Sequence, residues 1–157
     1  MVQFLLAHPG GPFWSKKDEG AWSIPKGLYE EPENAIDAAR RELREEIGLT
    51  ITADLVELGK FKQPGGKVIS AWAAESDFDV ADLRSNAFSL EWPPKSGRQM
   101  EFPEVDRAGW FSITEAAAKI TKGQLPILMR LATEFGLAVP AASNTASKRP
   151  RPRGSHI

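Results

Sequence analysis

Three glutamates near the middle of the sequence have a spacing at which they could do chemistry together. Glu42, Glu45 and Glu46 stand at i, i+3 and i+4, so in a helix their carboxylates share one face. Like charges at this spacing repel and destabilise a helix unless a cation offsets them. Mg²⁺ prefers such oxygen ligands, which predicts a metal site. The alternative is a solvated acidic face, in which Arg41 and Arg44 offset the repulsion.

The element that must position these glutamates is a helix over residues 32–47. Pro32 suits its first turn, acidic residues follow, and Gly48 provides the stop. Four apolar residues fall near one stripe and are predicted to face the core: Ile36, Ala39, Leu43 and Ile47.

Strands and helices are predicted to alternate through the rest of the chain. Residues 2–7 form an apolar run typical of a buried strand, and residues 22–24 a second extended piece. Residues 55–63 and 67–75 flank a Pro-Gly-Gly turn and predict an antiparallel pair. We expect a long, functional loop over residues 76–103 with one short strand at 88–92. A strand at 108–113, a helix at 115–120 capped by Thr114 and a helix at 126–135 complete a layered α/β domain.

Composition limits the class of protein. The chain has 157 residues, a formal net charge of −1 and no cysteine. These features predict one domain over residues 1–139 and exclude disulfides, thiolate nucleophiles and cysteine-ligated zinc. The absence of cysteine favours a cytoplasmic location. No apolar run is long enough to cross a bilayer, so no membrane partner is expected. Residues 140–157 predict a disordered basic tail, and the near-neutral charge makes nucleic acid an unexpected partner.

The helix lies inside a longer motif. Gly27, Glu33 and the run from Arg41 to Leu49 match Gly-x5-Glu-x7-Arg-Glu-apolar-x-Glu-Glu-x-Gly-apolar at every specified position. At average residue usage, a chain of this length would contain the pattern by chance roughly once in ten million times. The pattern is that of the Nudix box, so the sequence resembles the Nudix hydrolases. Its Pro-Lys-Gly lead-in is similar to the diadenosine polyphosphate and diphosphoinositol polyphosphate hydrolase branches and to bacterial predicted NTP pyrophosphohydrolases.

This resemblance implies an α/β/α sandwich with a mixed central sheet and hydrolysis of a diphosphate linkage with Mg²⁺ or Mn²⁺. It assigns Glu42, Glu45 and Glu46 as metal ligands. One further acidic ligand is expected from a later loop, with Glu104 the first candidate and Glu101 the second. The base that activates water is left open between Glu45, Glu46 and Glu104.

The remaining site assignments concern support and substrate. The resemblance makes Arg41 and Glu33 a supporting pair for the helix glutamates, and places a backbone carbonyl near Lys26 and Gly27 beside the metal. Lys26 and Lys67 are candidate phosphate contacts, as is Arg98. The aromatic residues Phe13, Trp14, Trp22 and Trp92 are candidates to stack a base, with a core position as the alternative. His8 is expected to be structural.

The preferred substrates are small phosphorylated molecules, either dinucleoside polyphosphates or (d)NTPs. Two alternatives are a diphosphoinositol polyphosphate hydrolase and a catalytically silent Nudix-like nucleotide-binding module. The box begins at Gly27, too early for the family's usual first N-terminal strand to precede residues 2–7. We therefore expect an open sheet edge that could pair with a second copy as a homodimer.

Overall fold

A computed structural model describes residues 2–26 and 34–137 of the chain. Gly27, Glu33 and the predicted tail at 140–157 lie outside these residues. Six strands and three α-helices are described: β1 (Phe4–Pro9), α1 (Ala35–Ile47), β2 (Val56–Lys62), β3 (Val68–Ala73), β4 (Ala87–Glu91), β5 (Gln99–Pro103), β6 (Val105–Phe111), α2 (Ile113–Lys119) and α3 (Leu125–Glu134).

The strands form three two-stranded antiparallel sheets, which pair β1 with β6, β2 with β3 and β4 with β5. Short bridges extend the first sheet. Ala7 exchanges two backbone hydrogen bonds with Ser23, and Trp22 forms a parallel bridge with Ile120. The segment predicted to be extended at 22–24 therefore lies beside β1, on the edge opposite β6, and its bridge to Ile120 is an isolated parallel contact beside antiparallel strands. The segment also covers part of the β1 edge that the sequence predicted to be open.

Three apolar clusters fix the elements around the sheets. The first joins Phe4 and Leu6 of β1 to Trp22, α2 and α3. The second packs Ile47 at the end of α1 against Ala7 and Val105, and Ile47 is fully buried. Burying a side chain of this size stabilises the fold by about 2 kcal/mol, so the second cluster anchors the glutamate helix to β1 and β6. The third cluster joins β2 and β3 to α3.

Helix α1 is close to its prediction, with two differences. Its described start is Ala35, capped by Asn34, whose side chain accepts a hydrogen bond from the Asp37 N–H at 2.8 Å. The predicted core stripe is wrong at its first position, because Ile36 is exposed and Ala38 is buried in its place. Gly48 ends the helix with a φ of 80°, a left-handed conformation that glycine adopts without steric cost.

Two other predictions need correction. Residues 76–103 are not one long loop, because β4 and β5 pair from Ala87↔Pro103 to Glu91↔Gln99. The N-cap of the second helix lies two residues earlier than expected, at Ser112 rather than Thr114. Its hydroxyl accepts from the Glu115 N–H while the Glu115 carboxylate accepts from the Ser112 N–H. This reciprocal capping box satisfies two donors that a helix start otherwise leaves unpaired.

Candidate active site

Glu46 is tied to the segment that precedes the helix. Its Oε1 accepts a hydrogen bond from the Lys26 backbone N–H at 2.9 Å. Burial raises the pKa of Glu46 from 4.5 to about 7, and the nearby negative charges of Glu42 and Glu104 act in the same direction. The Lys26 hydrogen bond and the Lys26 charge oppose this shift. Glu46 is therefore a half-buried carboxylate whose negative charge is only partly stabilised by the surrounding protein groups.

Glu42 and Glu45 share a cation on the same helix. Nη1 of Arg41 donates to Oε1 of Glu42 at 2.8 Å and to Oε1 of Glu45 at 3.0 Å. The guanidinium offsets the like-charge repulsion that the i, i+3 spacing predicts. These two hydrogen bonds orient both carboxylates, and the supporting role that the resemblance implies for Arg41 stays a prediction.

A small pocket open to solvent brings the acidic residues of two regions together. Its lining residues are Glu42, Glu45, Glu46, Asn86 and Glu104. Backbone hydrogen bonds hold the second region in place: the Asn86 N–H donates to the Glu45 carbonyl at 3.1 Å, and the Glu104 N–H donates to the Asn86 carbonyl at 2.7 Å. Helix α1 and the base of the β4–β5 hairpin therefore form opposite walls of one polar site.

Asn86 is a lining residue that sequence reasoning missed. It lies immediately before β4, in a stretch interpreted as loop, and no spacing relates it to the glutamates. Only its backbone contact with Glu45 places it in the pocket. The alternation of Asn86, Phe88 and Leu90 could have indicated it, because residues at this spacing share one face of a strand.

The lining groups suit a hard divalent cation, because four carboxylates and one amide present oxygen donors. Within residues 2–26 and 34–137, no three acidic or histidine side chains are already close enough to form a complete ligand cluster. The carboxylates that Arg41 holds would have to turn toward a shared ion. This requirement is modest for Glu45, whose side chain is 45% exposed.

The other predicted residues are distributed more widely. Lys26 is exposed, and its backbone and charge both act on Glu46. Lys67 is exposed in the β2–β3 turn and is not among the pocket-lining residues. Glu101 pairs with Ser89 in the hairpin and does not line the pocket either. Arg98 is exposed beside the hairpin turn.

The aromatic candidates separate into core and surface. Trp22 is buried in the first cluster, while Phe13 and Trp14 are 59% and 41% exposed. Trp92 is half-buried, in edge contact with Phe13. His8 is fully buried, with Nδ1 at 2.8 Å from Asp106 Oδ1 and Nε2 donating to the Lys17 carbonyl at 2.7 Å, which is a structural arrangement.

Comparison with known proteins decides the family. The sequence profile of the NUDIX domain matches residues 3–131. The chain belongs to the Nudix family. Membership confirms the resemblance carried by the box and the prediction of a hydrolase that acts on diphosphate bonds.

Similar proteins agree with this assignment. An RNA pyrophosphohydrolase of Bartonella henselae is 23% identical over 130 residues, which cover 73% of this chain and 69% of that protein. The solution structure of the E. coli ORF135 protein aligns with a TM-score of 0.56 at 22% identity, covering 85% and 82% of the two chains. A C. elegans Ap4A hydrolase in a binary complex aligns with a TM-score of 0.50 at 18% identity, covering 85% and 86%. These structural likenesses confirm the α/β Nudix fold.

Proposed function

We propose that this Nudix hydrolase cleaves the diphosphate linkage of a nucleoside diphosphate joined to another group, with Mg²⁺ or Mn²⁺ as cofactor. The preferred substrates are dinucleoside polyphosphates or (d)NTPs. The observation that carries the proposal is the pocket in which three glutamates of α1 meet Glu104. Glu42, Glu45, Glu46 and Glu104 are the residues that would hold the metal. When bound, a divalent cation neutralises phosphate charge and lowers the pKa of water.

The remaining chemistry falls to the chain itself. An attacking water must give up a proton as its oxygen bonds to phosphorus and the bond to the bridging oxygen breaks. A pocket carboxylate accepts that proton, and Glu45, Glu46 and Glu104 are the three candidates. Arg41 keeps Glu42 and Glu45 oriented, and Lys26 places positive charge beside Glu46. Gly27 and Glu33 complete the box in sequence and are proposed to support the same site.

A second candidate function is pyrophosphohydrolysis of RNA, favoured by the similarity to the RNA pyrophosphohydrolase of Bartonella henselae. Two earlier alternatives have less support. A diphosphoinositol polyphosphate hydrolase would want several basic residues around the pocket, and none of the described lining residues is basic. A silent binding module has no need of the intact glutamate set. Homodimerisation and a cytoplasmic location stay predictions. In the described part of the chain, no helix is long and apolar enough to cross a membrane.

A product-resolved substrate panel tests the proposal. The full chain is incubated with Mg²⁺ and with diadenosine tetraphosphate, dATP, 5′-triphosphorylated RNA and a diphosphoinositol polyphosphate, and products are separated by ion-exchange chromatography. We expect cleavage of a nucleotide substrate that EDTA abolishes and that added Mg²⁺ restores. Cleavage unaffected by excess EDTA would contradict the metal assignment, and cleavage of the inositol substrate alone would replace the nucleotide proposal.

A further inference from the structure

The β4–β5 hairpin has one polar and one apolar face. Directly paired residues share a face, so Phe88 lies with Phe102 and Leu90 with Met100. The alternation places Trp92 on this face as well. The other face carries Ser89 and Glu101, among other polar residues. An apolar face on a peripheral hairpin, with Met100 37% exposed, needs a physical explanation.

The apolar face begins at the active-site pocket. Asn86 stands two residues before Phe88, and Glu104 stands two residues after Phe102, while the Glu104 N–H donates to the Asn86 carbonyl and continues the pairing. Side chains at i and i+2 lie on one side of a strand. The two pocket residues and the aromatic residues of the hairpin therefore occupy one continuous face, which extends roughly 20 Å from Asn86 to Trp92 at about 3.3 Å per residue.

The loop after β1 adds exposed rings to this face. The Gly10 N–H donates to the Glu104 carbonyl at 2.9 Å, so the loop starts beside the pocket. A Cβ at Gly11 would lie 3.0 Å from Phe88 Cζ, which shows how closely the loop crosses the hairpin. Farther along, the rings of Phe13 and Trp92 meet edge to face at 5.3 Å between centroids. We call this surface, together with Trp14, the exposed ring that follows Phe13 in the same loop, the aromatic strip: Phe13, Trp14, Phe88, Trp92, Met100 and Phe102.

Hydrogen bonds outside the aromatic strip hold the two segments that carry it in position. His8 joins the end of the loop to β6, because Nε2 donates to the Lys17 carbonyl and Nδ1 contacts Asp106. In the hairpin turn, the Gly97 N–H donates to Oε2 of Glu91 at 2.7 Å. The rings are thus displayed on two anchored segments, and a ligand would meet a surface whose ordering is already complete.

Charge around the strip indicates what could cover it. Lys17 Nζ lies 5.1 Å from the centroid of the Trp14 ring, and Lys16, Lys95 and Arg98 are exposed in the same two segments. The nearby Glu91 carboxylate is already engaged by Gly97. Exposed aromatic rings flanked by cations are suited to nucleobases that are linked to phosphates. We infer that the aromatic strip binds the nucleobase of the substrate while its phosphates extend along the same face into the glutamate pocket.

This inference rests on the proposed function for its choice of a nucleotide, and substitutions in the strip test it. Trp14→Ala is expected to raise KM for diadenosine tetraphosphate at least about tenfold, the effect of losing one base–aromatic stack, with little change in kcat. Trp14→Phe keeps a ring and should retain most of the affinity. Phe135→Ala removes an equally exposed ring at the end of α3 and should leave KM unchanged. If Trp14→Ala lowered kcat and left KM unchanged, or changed neither quantity, the inference would be overturned.

A binding measurement that needs no turnover separates this inference from the proposed function. The chain has five tryptophans, whose indole N–H signals are observed by ¹⁵N NMR in the Glu46→Gln variant with Mg²⁺. Diadenosine tetraphosphate should shift the signals of Trp14 and Trp92. Trp110, whose indole N–H donates to the Phe78 carbonyl at 2.7 Å, is the internal control. Inorganic tripolyphosphate, which lacks a base, should leave all three signals in place.

Each outcome has a distinct meaning. Selective shifts without hydrolysis by the wild-type enzyme would support the strip and refute the proposed function. Hydrolysis without shifts at Trp14 and Trp92 would refute the strip alone. Equal shifts with tripolyphosphate would show that only charge is recognised, and shifts that depend on protein concentration without nucleotide would make the strip a contact between two copies. Either of these last two results would overturn the inference.

Discussion

The backbone of Lys26 and the carboxylate of Glu46, twenty residues apart, are joined by a 2.9 Å hydrogen bond. The bond ties the segment before the box helix to the last turn of that helix, so the Lys26 backbone and the Glu46 carboxylate are positioned together. Burial raises the pKa of Glu46 to about 7, and this hydrogen bond opposes the shift by stabilising the charged form.

Replacing Glu46 with Gln should lower turnover at least about a hundredfold, because the change removes a ligand or proton acceptor and keeps the shape of the side chain. Initial rates with Mg²⁺ and far-ultraviolet circular dichroism check the result. Glu134→Gln, at the exposed end of α3, is the matched control and should keep full activity. Wild-type turnover in the folded Glu46→Gln enzyme would show that the glutamate set is misassigned.

The raised pKa of Glu46 predicts that the free energy of unfolding depends on pH when EDTA keeps the protein free of metal. Because its folded value of about 7 exceeds the ordinary 4.5, the folded state holds a proton more tightly, and this stabilisation is lost as pH rises from 4.5 through 7. Because glutamine does not ionise, the Glu46→Gln variant should not lose this stabilisation as pH rises. We expect the variant to be more stable than wild type by about 1–2 kcal/mol at pH 8 and equal to it at pH 4.5. Thermal unfolding across this range checks the difference, and a constant gap at every pH would argue against it.

Glu104 is expected to act with the helix glutamates. Glu104→Gln should lower kcat at least about tenfold and raise the Mg²⁺ concentration needed for half-maximal rate, since one hard oxygen ligand loses its charge. Glu57→Gln, an exposed carboxylate on β2, serves as the control. If Glu104→Gln alters neither quantity, the fourth ligand comes from elsewhere in the chain.

His8 should contribute mainly to stability. His8→Phe leaves the Lys17 carbonyl and the Asp106 carboxylate without their partner, which costs about 2–3 kcal/mol and lowers the melting temperature by roughly 5–10 °C. At a temperature where the variant is folded, its kcat should stay within about twofold of wild type. Calorimetry and kinetics at 20 °C or below separate the two effects. A large fall in kcat with an unchanged melting temperature would assign His8 to catalysis.

Deletion of residues 140–157 should change neither turnover nor melting temperature, because this segment has too little apolar content to pack. Differential scanning fluorimetry and the substrate panel compare the shortened and full chains. A fall of several degrees would show that the tail contacts the domain.

Sequence alone was sufficient where a local pattern is itself the determinant. The box spacing predicted the helix that carries Glu42, Glu45 and Glu46, and Gly48 ends it as expected. It was insufficient for β5, because the polar–apolar alternation from Gln99 to Phe102 spans only four residues before Pro103, too short a run to indicate a strand by itself. The strand forms because its partner β4 supplies the pairing, a non-local contact. Asn86 shows the same limit, since only the fold brings it to Glu45.

The last turn of α1 has a further consequence. A helix leaves its final carbonyls without partners of its own, and here the Glu45 and Ile47 carbonyls accept from the N–H groups of Asn86 and Arg84, in the segment that leads into the hairpin. Helix and hairpin are therefore coupled through main-chain hydrogen bonds, which substitutions other than proline leave in place. Any tilt of the hairpin would pull on the turn that carries two of the glutamates, so the distance between carboxylates is sensitive to what the hairpin holds.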